Sequence, residues 1–301
     1  MTDRSRRDFL KQAVCLGAAG CLGPVALRAM SSGQLLAAET PGVKMRLGLV
    51  TYTWGADWDL PTLLTNCANT KVLGVELRTT HKHGVEPKLS ADERRDVKKR
   101  FADSPVTLVG MGSAEEFHHV DPKAVEKAIE RTKAFVKLSH DCGGSGVKVR
   151  PNALPKEVAR EKTIEQIGKS LNVVGKFAAD YGQQIRLEVH GGCSELPIIK
   201  AIMDVADDPN VGVCWNSNPS DLKGEGLEHN FNLVKKRLGG TTHVRELDDA
   251  KYPFQELIRL FVKMDYAGWI LLECGGKPPD RVAALVRQRE LFEKFVAAAR
   301  G

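Results

Sequence analysis

Short apolar runs alternate with amphipathic stretches eight times between residue 45 and the C-terminus. The predicted strands cover residues 45–52, 73–78, 106–111, 146–150, 185–190, 211–216, 241–245 and 269–273. Between them lie helical patterns with clear starts. Ser90-Ala91-Asp92-Glu93 reads as a capping box, and Asp121-Pro122 places a cap residue before a first-turn proline. Ile164, Ile167, Leu171, Val174 and Phe177 recur at three- and four-residue spacing before a stop near Gly182, and a final helix is expected over 280–299. Strands that alternate with helices imply a parallel sheet, and eight such units predict a closed (β/α)₈ barrel, an α/β TIM barrel forming a single domain over residues 45–301. The rival, a doubly wound open sheet, needs a glycine-rich phosphate turn after an early strand. Here Gly143-Gly144-Ser145-Gly146 precedes a strand instead.

In a barrel strand alternate residues face the helices and the lumen, and the helix-facing set is apolar. In Ile185-Arg186-Leu187-Glu188-Val189-His190 the apolar set is Ile185, Leu187 and Val189, so Glu188 and His190 point inward. The same parity turns Glu76, Lys148, Asn216, His243 and Glu273 inward. Glu188, Asn216, His243 and Glu273 are 28, 27 and 30 residues apart, one βα unit per step. Four potential ligands therefore stand at similar height on neighbouring strands. Two carboxylates buried together repel each other and lose their hydration, and a divalent cation removes that cost. Three oxygen donors and an imidazole suit Mn²⁺ foremost, with Mg²⁺, Co²⁺ or Zn²⁺ as alternatives. A metal-free lumenal network using Lys148, Arg186 and Arg245 as counter-ions is the competing expectation.

The N-terminus changes the picture of location. Ser5-Arg6-Arg7-Asp8-Phe9-Leu10-Lys11 reads as a twin-arginine export motif, followed by an uncharged run from Gln12 to Leu27. That run is too short to span a bilayer and is broken by Gly17, Gly20, Gly23 and Pro24, so residues 1–38 are expected to be a signal peptide and 39–44 a short tether. The twin-arginine machinery is thus an expected partner and the periplasm the expected address. Lipoprotein anchoring at Cys21 is disfavoured, because Ala18 stands where a large aliphatic residue is needed. The whole chain has a formal net charge of +6, and the first 38 residues hold five cations against two anions, so about half of that charge leaves with them. The remainder is too small to suggest a nucleic-acid partner. Five cysteines remain after residue 38, with no C-x-x-C pair; buried free thiols are expected.

Leu187-Glu188-Val189-His190-Gly191-Gly192 resembles the Glu-x-His-Gly stretch of the xylose isomerase-like, D-tagatose 3-epimerase-like family. His243-Val244-Arg245-Glu246 resembles its His-x-Lys-Asp strand, and Leu272-Glu273 its terminal metal glutamate. The resemblance spans residues 45–301. It implies one divalent metal held by Glu188, Asn216, His243 and Glu273, with Glu188 and Glu273 doubling as the proton-transfer pair. It also implies a metal-dependent sugar isomerase or epimerase working through an enediolate. A lyase or dehydratase could use the same intermediate. Two departures stand out. The family usually carries aspartate where this chain has Asn216, and histidine where it has Pro219. They leave open a non-catalytic carbohydrate-binding barrel.

His190, Lys148, Glu76, Trp54 and Arg245 are the expected substrate contacts, with Tyr52 and Trp58 as further aromatic candidates after strand one. His118 and His119 after strand three, and His81 and His83 after strand two, are weaker candidates for an extra polar contact. The expected ligand is a free or keto-sugar or a polyol, because no strong phosphate clamp is evident. The oligomeric state is left open.

Overall fold

The computed structural model describes residues 45–301; the signal-peptide and tether expectations fall outside the described residues. Eight strands alternate with eight α-helices. The strands are β1 (Arg46–Val50), β2 (Gly74–Arg78), β3 (Thr107–Glu116), β4 (Gly146–Arg150), β5 (Gln184–Glu188), β6 (Val211–Cys214), β7 (Thr241–Val244) and β8 (Trp269–Leu272). All pair in parallel, in the order β6-β5-β4-β3-β2-β1-β8-β7. The seam between β6 and β7 closes through two isolated parallel bridges, Val213–Leu238 and Asn216–His243, so the (β/α)₈ barrel is nearly closed. Among the described residues no helix is long and apolar enough to cross a membrane.

The helices begin where their caps place them. Ser90 caps α2 (Ala91–Ala102) in a reciprocal box with Glu93, Asp121 caps α3 (Pro122–Cys142), and Asp280 caps α8 (Arg281–Ala298). α4 (Arg160–Ala179) buries Ile164, Ile167, Leu171 and Val174 against the barrel. Outward strand residues such as Leu47, Val75, Val147, Ile185, Leu187 and Ile270 join the helices in one apolar layer. A separate inner cluster of Val50, Val109, Trp269 and Leu271 plugs the lumen. Above it the lumen is polar. A Cβ at Gly112 would lie 2.8 Å from Glu76 Oε1, and one at Gly146 2.8 Å from Arg186 Cζ. Inward glycines therefore leave the room that the charged side chains occupy. All five cysteines in this region are free and buried.

Candidate metal centre and barrel mouth

Glu188, His243 and Glu273 converge at the C-terminal end of the lumen, with one ligand atom from each within 4.8 Å of the others. His243 Nδ1 lies 3.3 Å from Glu188 Oε1 and 3.6 Å from Glu273 Oε2. The fourth expected ligand joins them. Asn216 Nδ2 donates to Glu188 Oε1 at 2.8 Å and to Glu273 Oε2 at 2.9 Å, bridging the two carboxylates. Lys148 Nζ sits 2.7 Å from the other Glu188 oxygen.

The electrostatics follow from burial and neighbours. Burial alone would raise the Glu188 carboxyl, but Lys148 and His243 outweigh it and hold the group well below the usual carboxylate range. Burial disfavours the His243 imidazolium; Cys214, Glu76 and Glu273 around the ring outweigh that and raise its pKa well above the ordinary value. Three buried or half-buried carboxylates (Glu76, Glu188, Glu273) thus share the lumen with Lys148, Arg186 and His243.

The donor set fits a divalent cation. Two carboxylates, an imidazole and a carboxamide meet at one point, and reversing the Asn216 amide turns its oxygen to that point at little steric cost. Both Glu76 oxygens, Glu188 Oε2 and His243 Nε2 are buried without a well-aligned hydrogen bond, although each makes an ion-pair contact or borders one. His243 Nε2 faces Glu76 Oε1 at 3.2 Å, the carboxylate support typical of a metal-ligating histidine.

The expected substrate contacts divide. Lys148, His190 and Arg245 line a cavity of about 360 Å³ at the mouth, together with Glu188, Asn216 and Glu273. His190 Nδ1 is 2.9 Å from Asn152 Oδ1, and burial lowers the ring's pKa. Glu76 does not reach the cavity. Parity turned it inward correctly, but it is fully buried beneath His243, where it supports the ring rather than a substrate hydroxyl. Trp54 is also buried and does not line the cavity; its Nε1 donates to the Gly276 carbonyl at 2.9 Å, so it ties the loop after β1 to the loop after β8. Trp58 packs under Arg281, and only Tyr52 of the three aromatic residues lines the cavity. His118 contacts Glu116 at 3.6 Å and stacks on His119, and neither lines the mouth. His81 and His83 both serve Arg78: His81 Nε2 is 3.3 Å from its Nη1, and His83 Nε2 is 2.9 Å from its carbonyl oxygen.

Five residues that the sequence does not single out also line the mouth: Arg78, Arg150, Ser217, Asn218 and Gly275. Arg78 and Arg150 end β2 and β4. Each lies two residues beyond an inward residue already identified, Glu76 and Lys148, so the period-two rule carried one step further reaches both.

The chain belongs to the xylose isomerase-like TIM barrel family, whose pattern matches residues 64–294. It is similar in fold to L-ribulose 3-epimerase, at 15% identity with a TM-score of 0.73, over 85% of this chain and 96% of that one. A zinc-binding structure of the IolI protein superposes with a TM-score of 0.70 at 16% identity, covering 84% of this chain and 99% of the other. The 3-keto-D-glucoside 4-epimerase of E. coli gives 0.69 at 13% identity, covering 84% and 99%. No curated protein matches this chain in sequence.

Proposed function

We propose that this chain is a metal-dependent sugar isomerase or epimerase with its active site at the barrel mouth. The observation that carries the reading is the convergence of Glu188, His243 and Glu273 within 4.8 Å. Glu188, Asn216, His243 and Glu273 would hold one divalent ion, Mn²⁺ foremost among Mn²⁺, Mg²⁺, Co²⁺ and Zn²⁺. Such an ion acts as a Lewis acid that lowers the cost of removing a proton between a carbonyl and an adjacent hydroxyl. The side chains divide the remaining work. Glu188, pinned by Lys148, stays ionised and holds its position. Glu273 is 15% exposed, faces the cavity and can take the substrate proton, which leaves an enediolate. Return of that proton by Glu273 to the neighbouring carbon isomerises the sugar. Epimerisation needs a second group to deliver a proton to the opposite face of the same carbon; Glu188, the other member of the pair, would have that role with a proton drawn from solvent. Neutral His190 is placed to orient a substrate oxygen.

The test is a deuterium-exchange screen over free and oxidised sugars in D₂O with Mn²⁺, alongside EDTA and Glu273→Gln. Exchange that both treatments abolish supports the reading; no exchange in any sugar with metal bound ends it. A second reading, a carbohydrate-binding barrel without metal, draws on the Asn216 bridge, which satisfies both carboxylates with neutral donors. Elemental analysis separates the two, because stoichiometric metal speaks against the second. Export through the twin-arginine pathway belongs to the same proposal, resting on Arg6-Arg7 and the apolar run behind them. Replacing both arginines by lysine should retain the protein in the cytoplasmic fraction.

A further inference from the structure

The cavity is ringed by more cationic side chains than a neutral sugar requires. Arg78, Arg150 and Arg245 all line it, above Lys148. Arg150 is spoken for, with Nη2 2.6 Å from Glu116 Oε1. Arg78 and Arg245 differ: among the described residues neither has a carboxylate within ion-pair distance. Arg245 Nε and Nη2 both donate to the Ser217 carbonyl, at 3.1 and 2.9 Å, which fixes the guanidinium plane and leaves Nη1 unengaged.

Arg78 is held with particular care. Its backbone N–H donates to Thr51 Oγ1 at 2.9 Å, and its carbonyl accepts from His83. Val85 N–H donates to His83 Nδ1 at 3.0 Å, which makes Nε2 the protonated nitrogen that meets the Arg78 carbonyl. His81 accepts from the guanidinium, and the Tyr52 ring lies 5.6 Å below it. Burial, then the charge of Arg78, lowers the His81 pKa to about 4, so the ring is a neutral acceptor at physiological pH. Fixing a half-buried cation this way without an acid partner leaves donors directed at a ligand.

We propose that the substrate is a sugar acid that keeps an aldehyde or keto group, its carboxylate received by the Arg78 and Arg245 rim while that carbonyl and the adjacent hydroxyl face Glu188 and Glu273. The proposal rests on the isomerase reading for the reaction, but not for the binding. A phosphate ester is the other anionic sugar, and the mouth disfavours it. Phosphate in this fold commonly sits at the loops after strands seven and eight, on backbone amides and a helix N-terminus. Here Gly276 N–H donates to Glu246 Oε1 at 2.6 Å, and the Asp280 carboxylate already caps α8. Carboxylates fill the positions a phosphate would need.

Calorimetry on the metal-replete protein would compare D-gluconate and D-glucuronate with D-glucose and D-fructose, and with D-fructose 6-phosphate. The acids should bind about 10- to 100-fold more tightly than the neutral sugars, the range of one or two charge-assisted hydrogen bonds. Arg78→Met and Arg245→Met should each lose about tenfold or more of that affinity, with Arg78→Lys recovering part; circular dichroism checks that each variant folds. Equal binding of neutral sugars, preference for the phosphate ester, or acid affinity unchanged in both methionine variants overturns the proposal. Deuterium uptake run in parallel keeps the two ideas apart. D-gluconate, which has no aldehyde or keto group, reports binding only. Arginine-dependent D-glucuronate binding without exchange in any sugar sinks the isomerase reading alone, whereas exchange confined to neutral sugars sinks the acid proposal alone.

Discussion

Asn216 sits where two carboxylates need a positive neighbour, and it supplies two N–H donors instead of a charge. An aspartate there could not bridge them; it would add a third negative group to a buried site. Asn216→Asp should therefore have opposite effects with and without metal. In EDTA the variant should lose about 3 kcal/mol of stability, the scale of an uncompensated buried charge. With Mn²⁺ or Zn²⁺ it should bind the ion at least about tenfold more tightly, because affinity follows ligand charge. Chemical denaturation and metal titration read the two halves, and a variant unchanged in both would mean that residue 216 does not border the cation site. Lys148 works on the other side of Glu188. Lys148→Met should cost about 3–5 kcal/mol by stranding a buried carboxylate, and adding Glu188→Gln should restore part of it. Strictly additive losses in urea titrations would show that the 2.7 Å contact contributes nothing.

The turn after β6 carries Ser217 and Asn218 into the cavity wall, and Asp221 holds it in place. Asp221 Oδ2 accepts from Tyr252 Oη at 2.6 Å and from the Asn218 N–H at 2.9 Å. Burial pushes its carboxyl up to about 7, more than these bonds and Arg245 pull it down. A carboxyl whose folded pKa lies above its unfolded value of roughly 4 stabilises fully below that value, and the contribution fades as pH rises through about 7. Asp221→Asn keeps an acceptor for both donors and removes the titration. The wild type should lose roughly 2–4 kcal/mol relative to this variant between pH 4 and 8. Parallel stability curves over that range would refute the assignment. At this scale the strands were legible because buried parallel strands keep a strict inside–outside alternation. Gly146–Arg150 falls where the pattern put it, while β3 runs on to Glu116, past the predicted end at Met111. Gly112 and Ser113, small and polar, ended the apolar run without ending the ladder. Parity also found Glu188, His243 and Lys148. It could not tell that Glu76 stops beneath His243, because depth along the lumen depends on what stacks above a side chain. Trp54, outside the cavity lining, is illegible for a related reason: a loop has no alternation from which to read its direction.

For the whole barrel, the weak place is also the chemical place. Seven strand interfaces are paired ladders, two of them (β2–β3 and β3–β4) with a register shift, whereas β6 and β7 meet only through the isolated bridges Val213–Leu238 and Asn216–His243. Around that second bridge His243 N–H donates to the Trp215 carbonyl at 2.6 Å, and Ser217 N–H donates to the His243 carbonyl at 3.2 Å. The proposed ligands straddle the gap: Glu188 ends β5 and Asn216 follows β6, while His243 lies on β7 and Glu273 follows β8. An ion shared by all four would fasten the two sides together where backbone bonding is sparse. Metal binding should then slow amide exchange most at the Ser217, His243 and Glu273 N–H groups. Residues of β2 and β3, remote from the seam, should change far less, apart from the global gain of about 2.7 kcal/mol expected at a hundredfold excess over Kd. Hydrogen exchange with and without Zn²⁺ measures the difference directly. Protection that rises evenly around the ring would show an ion binding to the folded state without closing the seam, and no change in protection would place the ion elsewhere.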